Sequence, residues 1–360
     1  MTDRLSTLMH RAAEGLDVPP PSTGVILTRG RALRRRRRLA SAGAAAAVLV
    51  LVAGGAAVLD PDQPSEPTPS RGVDEPPRTL DLGATLAVGS TLVFRDGTEQ
   101  AELGDRGVTS LHYTSVGVLV RHGDRSSAEP GGTFSLVHPD ATVSPVDIST
   151  GAAAPVTDPA EPYVAYVQRR GGATQVVIHD LGTGAEVARA DVPSSEDLRP
   201  VALSGDVVYL NAGDDDYVVD WRAGTVSEPG IVHGRPDVAG GRLAAVVEGR
   251  GVVLDARNGE QLFSVAVARG GRVDLSPDGR FVALDEDDGV NGFEVYDVDS
   301  GSRVQFPGVI SQYGWSPDGD IFRVRGNRMT VCVSASGVCD VPDVRLPPGR
   351  IRLGGWSYEQ

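Results

Sequence analysis

The sequence has no lysine; all 34 basic residues are arginine. This is a trait of GC-rich codon usage and carries no functional signal. Aromatic residues are scarce at 5%, so Val, Leu, Ile and Ala must supply the packing. There are two cysteines, Cys332 and Cys339, too few for a Cys-based metal site. No HExxH pair and no GxSxG elbow occurs. The stretch GDRSSAEPGG at 123–132 is short of Gly and lacks Lys, which excludes a phosphate-cradling loop. His112, His122, His138, His179 and His233 are scattered without paired-ligand spacing. These absences argue against an enzyme with a local catalytic motif. They do not exclude one assembled from distant segments.

What is abundant is Gly, with 45 residues, and Pro, with 25. Both recur at turn-like positions, which points to many short elements rather than long helices. The net charge of −14 is unevenly spread. Residues 1–38 hold nine Arg against Asp3, Glu14 and Asp17, while the rest holds 25 Arg against 45 acids. The main domain should therefore repel nucleic acid and anionic lipid, and the N-terminal tail should do the opposite.

Residues 39–59, LASAGAAAAVLVLVAGGAAVL, contain no charge. As a helix they would span ~31 Å at ~1.5 Å per residue, against a bilayer core of ~30 Å. Arg34, Arg35, Arg36, Arg37 and Arg38 precede the segment, and Asp60, Asp62 and Glu66 follow it. Basic residues stay on the cytoplasmic side, so the expected orientation is N-terminus inside and C-terminus outside. A cleaved signal peptide and a buried core helix are the alternatives. The long preceding region opposes the first, and the five adjacent Arg oppose the second. No Cys ends the segment, which speaks against a lipoprotein.

The expected organisation is a basic cytoplasmic tail (1–38), a transmembrane helix (39–59), a Pro-rich spacer (60–79) and a β-domain (80–360). In the tail, Leu5, Leu8, Met9, Ala12, Ala13 and Leu16 have helical spacing, which Pro19, Pro20 and Pro21 end. The tail suits a membrane surface, or a cytoplasmic partner such as a sigma factor. It has no Cys and only His10, so a zinc-type anti-sigma motif is missing. It resembles the Arg-rich juxtamembrane tails of many actinobacterial single-pass proteins.

From residue 80, Val-rich runs alternate with turn residues. One turn recurs: DLGTG at 180–184, DWRAG at 220–224, DARNG at 255–259 and DVDSG at 297–301, with a weaker copy ending at Gly337. The closing glycines are spaced by 40, 35, 42 and 36 residues. FRDG at 94–97 and LVHPDA at 136–141 extend the series upstream. A period of about 40 with several strands per repeat marks a β-propeller, here with seven blades. LSPDG at 275–279 and WSPDG at 315–319 resemble the SPDG turn of WD40-like propellers of the TolB and YVTN type. LSGD at 203–206 and VAGGR at 238–242 stand in its place elsewhere. The resemblance implies an all-β propeller and says little about function. Gly355-Trp356-Ser357 repeats Gly314-Trp315-Ser316, and residues 80–97 begin with a second and a third strand. The C-terminal strand is therefore expected to complete the first blade and seal the ring.

Cys332 and Cys339 flank a hairpin turn, and an oxidising compartment would favour a disulfide between them. Asp285, Asp287, Asp288 and Asn291 form an oxygen-dense run that is a candidate for Ca²⁺. The full Ca²⁺-loop spacing is missing, and a solvated acidic loop is the competing reading. Asp214, Asp215 and Asp216 occupy the equivalent loop two blades earlier. Trp315 and Trp356 end inner strands, where they either pack between blades or face a ligand in the central funnel. No cofactor is expected. The expected function is a membrane-anchored extracytoplasmic binding, sensing or scaffold module for a protein, glycan or small molecule. An envelope hydrolase or lyase on the same fold is the alternative, as is a regulator gripping a sigma factor through its tail.

Overall fold

A computed structural model describes residues 80–355, apart from residues 105–106, 124–131, 151–152, 194–197, 213–214, 228–235, 268–270 and 286–291. The chain divides into two compact units, Met1–Val73 and Asp74–Gln360, and every described residue belongs to the second. The expected membrane segment at 39–59, the Arg34–Arg38 run and Trp356 lie outside the described residues. No helix among the described residues is long and apolar enough to cross a membrane.

The described residues form seven four-stranded antiparallel sheets, the blades of a β-propeller. Blades two to seven each take four consecutive strands. Blade six follows the expected order: Arg272–Leu275, Phe281–Asp285, Phe293–Asp297 and Arg303–Phe306. Blade two's inner strands, Val108–Thr114 and Gly117–His122, are buried throughout, whereas Arg199–Ser204 and Arg272–Leu275 are buried only towards their C-terminal ends. Each sheet is covered on both faces by its neighbours, so both faces of blade two's inner strands are buried, and the polar side chains among them, such as Ser110 and His112, bond to each other. Outer strands such as Val143–Val146 face solvent on one side and alternate.

Blade one is assembled from both ends of the domain. Ile351–Leu353 is its innermost strand and pairs with Leu86–Val88, in the register Leu86↔Leu353 and Val88↔Ile351. Thr91–Phe94 and Glu99–Glu102 complete it. The expected ring closure is thus present. The Gly-Trp repeat marks the seam, because the Trp315 N–H of blade seven donates to the Gly354 carbonyl at 3.1 Å.

The recurring Asp-to-Gly turns join the third and fourth strands of a blade and share one hydrogen-bond plan. The carboxylate of the opening Asp accepts from backbone N–H groups two and three residues on. Asp180 accepts from Gly182 and Thr183, and Asp255 from Arg257 and Asn258. The closing Gly184, Gly224, Gly259, Gly301 and Gly337 all have φ near +70°, where a side chain is disfavoured. In blade two the left-handed position is held by Ala141 at φ +65°. Ala141→Gly should remove a conformational cost of ~1–2 kcal/mol while adding a chain-entropy cost of ~0.5–1 kcal/mol. The expected result is a small rise in the urea midpoint, and an unchanged or lower midpoint would contradict it.

Blade seven lacks the Asp. Val333 opens its turn, and the Gly337 N–H donates to the Val333 carbonyl at 2.8 Å. Its outer strand is only Cys339–Asp340. A Cys332–Cys339 disulfide crosses this hairpin, with the α-carbons 4.0 Å apart. The covalent link joins the short strand to the blade where the carboxylate cap is missing. Closing so small a loop should contribute about 2 kcal/mol. Cys332→Ala/Cys339→Ala should lower the unfolding free energy by that amount. Reducing agent should shift the parent's midpoint and leave the variant's unchanged.

Candidate functional site at the channel mouth

The first strand of every blade runs in the same direction along the central axis. All turns between first and second strands, and between third and fourth strands, therefore lie on one face of the ring. The channel opens on that face in a cavity of about 70 Å³, enough for a few ordered waters or the tip of one side chain. Its walls are mostly apolar, with Leu111, Val201, Leu203 and Leu275 among them. His112, Tyr113, Thr157 and Asp237 are its lining residues with polar side chains.

The polar groups at the mouth also stitch blades together. Asp237 Oδ2 of blade five accepts from the Leu275 N–H of blade six at 2.6 Å. Asp158 Oδ2 of blade three accepts from the Gly205 N–H of blade four at 2.8 Å. His112 Nε2 lies 2.8 Å from Ser110 Oγ within blade two. The Tyr113 hydroxyl crosses blade one to donate to the Trp315 carbonyl at 2.8 Å. Gly354 makes that crossing possible, since a Cβ there would sit 2.5 Å from the Tyr113 oxygen and 2.9 Å from the Thr85 carbonyl. Burial pushes the Tyr113 phenol well above its ordinary pKa, so it remains a donor at every physiological pH.

The inner turns around the mouth are acidic. Turns 158–162, 205–206, 276–280 and 316–320 carry Asp158, Glu161, Asp206, Asp278, Asp318 and Asp320 against Arg280 alone. Burial raises the Asp158 carboxyl. Burial first, and then the Asp158 charge, raise Glu161. Burial raises Asp278, with Asp318 adding repulsion. Elsewhere the hydrogen bond from Arg189 holds Glu186 below its ordinary value, and those from Thr142 do the same for Asp140.

These shifts set a pH profile. A carboxyl raised in the folded state binds its proton more tightly there than in the unfolded chain, so stability rises as pH falls through the folded pKa. A lowered carboxyl contributes stability above its unfolded pKa, and that contribution is lost as pH falls through the folded value. Asp158, Glu161 and Asp278 should therefore each add stability as pH falls through their raised folded values, while His179, which burial lowers, removes some as pH falls through the ordinary imidazole value. Below about pH 4, where unfolded carboxyls titrate, the urea midpoint should fall, and a midpoint that holds steady from about pH 5 to about pH 3 would overturn the assignment of Glu186 and Asp140 as lowered.

The structure separates the candidates noted in the sequence. Trp315 is 2% exposed and packs between blades six and seven with Phe281, Phe293, Tyr313 and Ile321. It is not ligand-facing, because the inner strand turns its ring into the inter-blade core and presents only its carbonyl to Tyr113. Asp285 ends a strand of blade six on the opposite face of the ring from the channel mouth, while Asp287, Asp288 and Asn291 lie outside the described residues. His112 reaches the cavity. His122 and His138 bond instead to Ser135 and Ser144 within blade two. Sequence reasoning missed Tyr113, Asp237 and Asp158. Each looks like an ordinary strand or turn residue, and only its position beside a neighbouring blade gives it a role.

No protein-family model and no curated protein matches the sequence. Solved structures similar to the chain include apo AztD from Citrobacter koseri, at 11% identity over 74% of this chain and 96% of that one, with a TM-score of 0.46. Kluyveromyces lactis Hsv2 is 17% identical over 63% of this chain and 73% of its own, with a TM-score of 0.44. TolB from Acinetobacter baumannii is 15% identical over 76% of this chain and 66% of its own, with a TM-score of 0.40. Likeness at this level carries nothing about ligand or activity. The seven-bladed ring rests on its own strand pairing.

Proposed function

We propose that the chain is a membrane-tethered, extracytoplasmic β-propeller that serves as a binding or scaffold module, with the channel mouth as its ligand seat. The observation that carries the binding role is the concave, mostly apolar mouth with a few inward polar groups, the usual make-up of a ligand site. The tether is supported by the uncharged run at 39–59 between Arg34–Arg38 and Asp60. The Cys332–Cys339 disulfide suits an oxidising compartment. Residues 60–79, with six Pro and few apolar residues, suit an extended spacer between membrane and ring.

Reporter fusions after residue 80 test the topology. An export-dependent reporter should be active there and a cytoplasm-dependent one silent, while both should reverse in fusions at residue 30. An export-dependent reporter inactive after residue 80 would refute the tethered, extracytoplasmic placement. For the binding role, filling the mouth with Val201→Trp should abolish ligand capture, at some cost in thermal stability because Val201 also packs against the core between blades four and five.

A further inference from the structure

We propose that the channel mouth takes a basic polypeptide segment of a partner protein, with one apolar side chain in the cavity and flanking arginines or lysines on the acidic inner turns. The inference rests on the channel mouth being the ligand seat. It commits that seat to one chemistry, a cationic peptide.

Two independent features support it. The first is shape and polarity. A cavity of about 70 Å³ walled by Val201, Leu203 and Leu275 accepts the end of an aliphatic side chain and gains by removing it from water. An extended segment crossing the ring can place one such side chain on the axis.

The second is charge. The inner turns carry six carboxylates and one Arg, and that Arg is already engaged, since Arg280 donates to Asp297 at 3.1 Å. The outer turns on the same face add Asp180, Asp220 and Asp255, whose Oδ1 atoms cap the turns. Arg222 of an outer turn is paired with Asp206. Glu161 and Asp318 have no ion pair of this kind among the described residues. Arg222, Arg242 and Arg280 offset part of this charge: Arg242 Nη1 donates to the Gly279 carbonyl at 3.0 Å, and Arg222 attracts Glu161. The six inner-turn carboxylates still outnumber these three arginines, and the repulsion that Asp158 exerts on Glu161, and Asp318 on Asp278, reflects that excess. A cationic segment relieves it and would be steered in by the same field. Anionic lipid, nucleic acid and acidic peptides would be repelled.

The test uses the full-length protein in detergent micelles and a fluorescein-labelled Arg-Arg-Leu-Arg-Arg peptide, followed by fluorescence anisotropy. Saturable binding that weakens at least ten-fold between 50 and 300 mM salt, roughly as screening of exposed charges requires, is expected. Arg-Arg-Gly-Arg-Arg should bind at least ten-fold more weakly, and Glu-Glu-Leu-Glu-Glu not at all. Val201→Trp fills the mouth and should weaken the leucine peptide at least ten-fold. Glu161→Gln/Asp318→Asn removes two charges without touching the cavity wall and should do the same, so the outcome does not depend on one variant folding. No saturable binding, equal binding of the glycine peptide, or indifference to both variants would overturn the inference. None of these results bears on the reporter fusions, so failure here is distinguishable from failure of the tethered topology.

Discussion

Deleting residues 350–360 is expected to abolish cooperative folding of the propeller. The deletion removes Ile351–Leu353, the innermost strand of blade one, and leaves Leu86–Val88 as an open edge at the channel wall. The Trp315 N–H loses the Gly354 carbonyl, and the core between blades seven and one loses Ile351 and Leu353. Fully burying a large aliphatic side chain is worth ~1.5–3 kcal/mol, of which the half-buried Ile351 and Leu353 each supply a part, and each unpaired buried backbone group costs ~1–3 kcal/mol. Together these exceed much of a domain's typical margin of ~5–15 kcal/mol. The expected readout is loss of the sigmoidal urea transition and rapid limited proteolysis throughout 80–349. A single cooperative transition with a midpoint near the parent's would show that the ring does not depend on this seam.

Trp315→Ala is expected to cost ~3–5 kcal/mol, the range for removing a large aromatic from a packed core. Trp315 is among the largest fully buried side chains, and its neighbours Phe293 and Tyr313 are themselves in edge-on contact at 4.9 Å. They cannot collapse into the space without breaking that arrangement. Tyr113→Phe should cost only ~1 kcal/mol, because it removes one buried hydrogen bond and leaves the packing in place. Urea unfolding of the three proteins checks the order. A ligand-facing Trp315 would give the opposite pattern, with near-parental stability and lost binding, and that result would refute its inter-blade assignment.

Much of the fold was legible in the sequence because its signals are local. An Asp carboxylate that caps N–H groups two and three residues on, followed by a glycine with positive φ, is written within five residues, as at 180–184 and 255–259. Counting those turns yields the blades, and the strands lie between them. The hairpin disulfide was legible for the same reason, since Cys332 and Cys339 are seven positions apart. Ala141 shows the limit of the pattern. It keeps the backbone conformation without the residue that advertises it.

By itself, the sequence determined the all-β class, the seven repeats, the order of strands within a blade, the seam that joins Ile351–Leu353 to Leu86–Val88, and the disulfide. It also determined the charge contrast between tail and domain. Only the tertiary structure decided which residues meet at the channel. Tyr113 and the Trp315 carbonyl are 202 residues apart and bond across an intervening blade. Asp237 reaches Leu275 across a blade boundary. The acidic inner turns become one field only when the ring closes. The physical reason is that blade formation is a matter of neighbouring residues and their hydrogen bonds, whereas the channel mouth exists only where separate blades pack side by side. No local pattern records which side chain will face the axis.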